Sequence, residues 1–251
     1  MPSLDFRPSA PVFDANIGVG HRHDRVSPFA DADQLRAQMQ HHGVDRALIY
    51  HVQGEAISAV EGNETLQHWA GAHACFSLQW VVNPSRACRE QLAALHREGR
   101  VNSVRLHSTT ESRIPFADWI YSDLLAWLER ENIPLWVSLA DTPTTEVANA
   151  LGGYPDLRTV LVGAHYVHAL AVVPLLRRLP RAHLELSRYE KLCGVEELRD
   201  EFGIERLLYG SYYPRYAMGP ILYYLHHAGL SPAELAAVCA GNLERLLGDK
   251  T

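Results

Sequence analysis

Short apolar runs of four to eight residues alternate with longer amphipathic stretches along the whole chain. The apolar runs are 11–18 (PVFDANIG), 46–52, 75–82, 102–108, 133–139, 158–165, 182–187 and 206–211. Each is rich in β-branched or aromatic residues, which predicts a buried strand. The stretches between them carry helical signals. Residues 31–43 place Leu35 and Met39 four apart and stop at Gly43, and 86–99 stop at Gly99. Residues 119–132 carry Leu124, Leu125, Trp127 and Leu128 on one broad stripe, and 195–203 end at Gly203. The stretch 231–248 opens with Ser231, Pro232 and Glu234, the pattern of a capping box with proline in the first turn.

Eight strand–helix units in succession predict a parallel sheet, and eight close more naturally into a barrel than they spread into an open sheet. The expectation is one (β/α)₈ TIM barrel of α/β class, a single domain over 1–251. The length of 251 residues suits that fold and one well-buried core. No glycine-rich phosphate loop follows the first strand, which argues against a doubly wound nucleotide-binding sheet.

Net charge is -6 with no run of like charge, so neither nucleic acid nor an anionic membrane is expected as a partner. No apolar run approaches a membrane span, and the first residues lack the basic-then-apolar pattern of a signal peptide. The expected location is the cytoplasm. Cys75, Cys88, Cys193 and Cys239 form no CxxC pair and read as buried free thiols. Lysine occurs only at Lys191 and Lys250, the first placed on a helix and the second in the tail. That leaves no lysine for Schiff-base chemistry or for bridging metals.

In a barrel of this kind the site lies at the C-terminal ends of the strands. Those ends offer Asp14 and Asn16, His51, Asn83, Arg105 and His107, Ser138, His165, Ser187 and Arg188, and then Tyr212 and Tyr213. Arg105 and His107 stand two apart, so in a strand they share a face, and the guanidinium could hold a carboxylate there.

The segments VFDANIG, VNP (82–84), IPLWVSL, LVGAH, HLELS, ERLLYGSYYP (205–214) and GNLERLLG (241–248) together resemble the amidohydrolase-related branch of the amidohydrolase superfamily. That resemblance implies a TIM barrel and metal-dependent decarboxylase, hydratase or lactonase chemistry on small carboxylated or aromatic substrates. It also implies a strand-one Asp-x-His-x-His, strand-five and strand-six histidines, and a strand-eight Asp. Here those positions read Asp14-Ala15-Asn16-Ile17-Gly18, Ser138, His165 and Tyr212, so one ligand of five survives. A catalytic zinc needs about three protein ligands. No metal and no other cofactor is therefore expected.

The reading that follows is a metal-independent hydrolase or lyase for a small, anionic, carboxylated or cyclic substrate. His165, His107 and Tyr212 are the candidate catalytic groups, and Asn16, Arg105, Ser138 and Tyr213 the candidate substrate contacts. Two alternatives stand beside it. One is a catalytically inactive barrel that binds a ligand or partner. The other is a metal site rebuilt from His21, His23 and His165. Association of copies through outer helices is compatible with all three. Convergence of His165, His107, Arg105 and Tyr212 on one cavity would favour an enzyme, and a mouth filled by tyrosines a binding barrel.

Overall fold

A computed structural model describes residues 6–22 and 25–248. The strands are β1 (Phe13–Val19), β2 (Arg46–His51), β3 (Phe76–Leu78), β4 (Trp80–Val82), β5 (Val104–Leu106), β6 (Leu135–Ser138), β7 (Thr159–Val162), β8 (Ala182–Glu185) and β9 (Leu207–Leu208). All neighbours pair in parallel, in the order β1-β2-β3 and β4-β5-β6-β7-β8-β9. The predicted third strand is split at Gln79 into β3 and β4, and the Gln79 amide still bonds to Ile49 O at 2.9 Å, so the two pieces form one stave. Ala15 N donates to Tyr209 O at 3.1 Å and Gly18 N to Tyr213 O at 2.8 Å, which joins the last stave to the first. The barrel is closed, with eight staves as expected.

The helices outside it are α1 (Ala32–His42), α2 (Val52–Ala56), α3 (Ala59–Ala70), α4 (Arg86–Arg97), α5 (Thr109–Ser112), α6 (Asp118–Arg130), α7 (Thr144–Leu151), α8 (Ala169–Arg178), α9 (Gly194–Phe202), α10 (Gly219–His227), α11 (Pro232–Ala236) and α12 (Asn242–Leu247). The Ser231–Glu234 capping box forms as the sequence predicts. The final helix is not uniform, however. A π turn over Ala237–Gly241 separates α11 from α12. The Val238 carbonyl is drawn to Tyr209 N at 2.8 Å, so a strand amide takes an acceptor the helix would otherwise use.

Strands β1 and β6 are buried on both faces, as a sheet covered inside and out must be. Two expectations fail at the edges of the core. Cys193 is exposed and Cys75 half-buried, so only Cys88 and Cys239 are buried thiols. Lys191 lies in the turn ahead of α9, not on a helix, and Lys250 lies outside the described residues. No helix among the described residues is long and apolar enough to cross a membrane.

Candidate active site

β1 supplies Asp14 and Asn16 to the barrel interior, and its register with β2 shifts between Asp14 and Ile17. Such a shift re-aims side chains. Asp14 Oδ1 accepts from the amides of Asn16 and Ser211, each at 2.9 Å, while Oδ2 has no partner. Burial outweighs these hydrogen bonds and pushes the Asp14 carboxyl up to about 7.

Arg105, at the middle of β5, is fully buried and is the one buried arginine among the described residues. Its Nε donates to Glu55 on α2 at 2.8 Å and its Nη1 to Asn16 Oδ1 at 3.3 Å. Its Cζ lies 3.9 Å from the Tyr50 ring centroid. Burial opposes its charge, but Glu55 overrides burial and holds the guanidinium more firmly protonated than usual. Nη2 finds no partner. Asn16 Nδ2 in turn donates to Glu185 at 3.2 Å. Glu185 also accepts from Ser187 Oγ at 2.9 Å and Ser187 N at 2.8 Å, yet burial keeps its carboxyl above the usual range. A chain of side chains thus runs Glu55–Arg105–Asn16–Glu185 across the barrel.

Gly18 ends this half of the site. A Cβ there would come within 2.9 Å of Val52 Cγ1 and 3.1 Å of the Tyr50 hydroxyl. The phenol of Tyr50 therefore takes the space that a side chain at position 18 would need.

A second polar chain crosses the mouth. Ser138 Oγ at the end of β6 donates to Asp141 Oδ2 at 2.6 Å and stands 3.5 Å from the Tyr212 hydroxyl. Arg215 Nη1 donates to that hydroxyl at 3.3 Å. With Arg215 donating to the phenol oxygen and Ser138 donating to Asp141, the Tyr212 proton is left to point at Ser138 or at a ligand. Burial raises the Tyr212 phenol above its ordinary value, so it is a proton donor near neutral pH. Tyr212 adopts the left-handed region at φ 56, unusual for a bulky residue, and Gly163 (a Cβ there would be 3.0 Å from Tyr212 Cε1) leaves room for its ring.

Above Tyr212 opens a pocket walled by Tyr50, Tyr212, Tyr213, Arg22, Arg25 and Arg215, with free space of about 30 Å³. Arg22 bonds to Glu111 at 2.8 Å, whereas Arg25 and Arg215 make no ion pair with a carboxylate among the described residues. Tyr213 stacks on Phe29, with centroids 5.7 Å apart.

The structure brings together only part of the predicted set. Asn16 and Arg105 are joined directly, and Ser138 and Tyr212 are neighbours. His107 is not with them. β5 ends at Leu106, and the His107 ring turns to the Tyr121 hydroxyl on α6, 2.6 Å from Nε2. The expectation that Arg105 and His107 share a face fails because the strand ends between them. Burial lowers His107 to about 4, so it stays neutral near pH 7. His165 does not wall the mouth pocket either. Its backbone engages the short turn Tyr166–His168, His165 O accepting from His168 N at 2.8 Å and His165 N donating to His168 Nδ1 at 3.0 Å, and the His165 and Tyr166 ring centroids lie 3.9 Å apart. His21 Nδ1 accepts from Ser27 N at 3.0 Å, and His23 lies outside the described residues. Among the described residues, no group of three or more His, Cys, Asp or Glu side chains is placed to hold a metal ion.

Glu55, Tyr50, Glu185, Asp141 and Arg215 escaped the sequence reading. Two had a signal. Asp141 follows Ser138 by three in a strand-to-helix turn, and Glu185 shares strand parity with His183 in an otherwise apolar run. Glu55 sits on a one-turn helix that no periodicity announces.

Known proteins place this architecture. The amidohydrolase family profile (Amidohydro_2) matches residues 20–248. A search of curated proteins finds no significant match. Among solved structures, 5-carboxyvanillate decarboxylase from Sphingomonas paucimobilis superposes with a TM-score of 0.72 at 15% identity, covering 96% of this chain and 99% of that one. A dihydroxybenzoic acid decarboxylase from Polaromonas sp. JS666, with bound manganese and the inhibitor 2-nitroresorcinol, gives 0.75 at 13%, covering 96% and 97%. 4-Oxalomesaconate hydratase from Rhodopseudomonas palustris gives 0.68 at 15%, covering 94% and 95%. At these identities the likeness is one of fold.

Proposed function

This chain belongs to the amidohydrolase family, and we infer that it works without a metal ion, as a hydrolase or lyase on a small carboxylated or cyclic substrate. Support for the metal-free part comes from what fills the barrel. Asn16, at a ligand position of the family pattern, accepts a hydrogen bond from the Arg105 guanidinium. Tyr50 fills the space beside Gly18, at the next ligand position. Arg105 already pairs with the buried Glu55, and among the described residues no group of three or more His, Cys, Asp or Glu side chains is placed to hold a catalytic metal.

The observation that carries the catalytic part is the Tyr212 hydroxyl, held between Arg215 and Ser138 beneath a pocket with three arginines. Arg25 and Arg215, which make no ion pair with a carboxylate among the described residues, can meet a carboxylate of the ligand, and the tyrosine rings can pack against a planar ring. Tyr212 then donates a hydrogen bond or proton to the oxygen or carbon where charge develops, with Arg215 stabilising the phenolate left behind. Ser138 and Asp141 orient the phenol. The relatives named above act on carboxylated compounds by decarboxylation and hydration, which agrees with such a ligand.

The narrowness of the mouth favours a second reading, a barrel that binds such a ligand without turning it over. Space of about 30 Å³ holds little more than a water, so any substrate must displace a tyrosine or one of the arginine side chains that wall it. Chelator-treated protein offered 5-carboxyvanillate, a dihydroxybenzoate, 4-oxalomesaconate and a carboxylated lactone separates the two. Turnover of any of them, seen as CO₂ release, hydration or ring opening, supports the enzyme. Saturable binding with no turnover supports the binding barrel, and turnover that appears only on adding a divalent metal refutes the metal-free reading.

A further inference from the structure

At the opposite, N-terminal end of the barrel lies a pocket that the catalytic reading does not use. An arginine stands immediately before each of three successive strands: Arg158 before β7, Arg181 before β8 and Arg206 before β9. Arg245 on α12 closes the fourth side, and His183 of β8 lines the same space. The pocket measures about 300 Å³, far roomier than the mouth.

Part of this cluster is structural. Arg206 donates to the carbonyls of Ala182 at 2.7 Å, Leu176 at 3.0 Å and Leu179 at 2.9 Å, which satisfies the end of α8. Arg158 donates to Leu246 O at 2.7 Å and to Asn132 O. Arg245 donates to Asn242. Carbonyls satisfy hydrogen bonds but do not cancel charge. None of the four guanidiniums makes an ion pair with a carboxylate among the described residues, although Glu205 lines the pocket. Arg181 has no side-chain partner among them at all. In a chain of net charge -6, four guanidiniums without a carboxylate partner among the described residues line one concave place.

The cluster also carries unmet polar capacity. Arg158 Nε and His183 Nδ1 are buried with no hydrogen-bond partner. The groups feel each other. Burial and then the Arg181 charge weaken protonation of Arg158, and burial followed by Arg206 lowers His183 to about 4. A neutral ligand would relieve none of this repulsion, and a single negative charge only part of it. A compact dianion with several acceptor oxygens answers the charge and can accept from the exposed Arg181 and Arg245 guanidiniums.

We propose that the pocket between Arg158, Arg181, Arg206 and Arg245 is a second, non-catalytic site, and that it takes a phosphate dianion, free or as the phosphoryl group of a small metabolite. Arg181 and Arg245 are its accessible clamps. Arg158 and Arg206, already fixed by carbonyls, form its rigid floor. The bound anion ties the bases of β7, β8 and β9 together, the strands whose far ends lead to Gly163, Glu185 and Tyr212.

Calorimetry on the whole protein at constant ionic strength tests this, with inorganic phosphate, pyrophosphate, glucose 6-phosphate, succinate and chloride as titrants. The expected result is one saturable site for a phosphate-bearing titrant, with Kd below about 1 mM. R181Q and R245Q change exposed side chains, and each should weaken binding at least about tenfold, with the unfolding midpoint without phosphate unchanged in R181Q. Tighter binding of glucose 6-phosphate than of inorganic phosphate identifies a phosphorylated metabolite, and the reverse identifies the free ion. Equal binding of succinate overturns the phosphate assignment. Absence of saturation with every titrant, or undiminished affinity in the R181Q/R245Q double variant, overturns the site.

Discussion

The Tyr50 ring lies against the Arg105 guanidinium at 3.9 Å, and its hydroxyl occupies the space beside Gly18. Position 18 therefore cannot take a side chain without moving a ring that is packed on a buried cation. Gly18→His, which places the histidine of the family pattern here, should destabilise the protein by roughly 1–3 kcal/mol, the usual cost of overpacking. Gly18→His with Tyr50→Ala should recover part of that loss. Denaturant midpoints of the parent and the two variants check it, and a fully stable Gly18→His would show that Tyr50 yields easily.

Removing Arg105 leaves Glu55 buried without its partner at 2.8 Å. Arg105→Met should cost about 3–5 kcal/mol, since a stranded buried charge costs more than the pair contributes. Arg105→Met with Glu55→Gln should be markedly less damaging. Urea unfolding of the single and double variants gives the coupling, and additive losses would contradict it.

Asp14 gives a pH signature whose sign is fixed by its raised carboxyl. The folded state keeps the proton up to about 7, whereas the unfolded chain releases it near 3.8. Between those values the folded state binds more protons, so Asp14 subtracts stability as pH rises from 4 to 7, on the order of 4 kcal/mol in full. Asp14→Asn keeps the oxygen that accepts from Ser211 and Asn16 and removes the charge. It should gain stability over the parent at pH 8, with the difference shrinking towards pH 4. A constant difference across that range would show that Asp14 does not titrate there.

His107 behaves in the opposite sense. With its folded value near 4, the unfolded chain takes up a proton first as pH falls from 6.5, and stability is lost over that window. The His107 ring should show no change in chemical shift between pH 5.5 and 8. His107→Leu should cost about 1–3 kcal/mol by leaving the Tyr121 hydroxyl unpaired. A titration near neutral pH would return His107 to the list of acid–base groups.

The alternation of apolar runs and amphipathic stretches made the barrel legible, because every strand of a covered parallel sheet must be apolar on both faces. Strand ends were less legible. The sequence extends the fourth strand to residue 108, but β5 stops at Leu106, and with those two residues goes the parity that put His107 beside Arg105. Asn16, Ser138 and Tyr212 were found because a family pattern singles out their positions. Glu55 and Arg215 were not, since both reach the site from loops and a one-turn helix, where side-chain direction depends on tertiary packing. His165, at a ligand position of the family pattern, engages the Tyr166–His168 turn through its backbone, which spacing alone does not reveal.

Turnover and metal content measured on one and the same sample test the central claim most directly. The protein is dialysed against a chelator, its zinc, iron and manganese are counted per chain, and its activity on whichever carboxylated substrate it accepts is compared with that of Tyr212→Phe. The account predicts far less than one equivalent of metal, full activity, and a loss of about 10²–10⁴-fold in Tyr212→Phe, as for a missing proton donor. Near one equivalent of metal, disappearing together with activity in His165→Ala or His21→Ala, with Tyr212→Phe unimpaired, would contradict it.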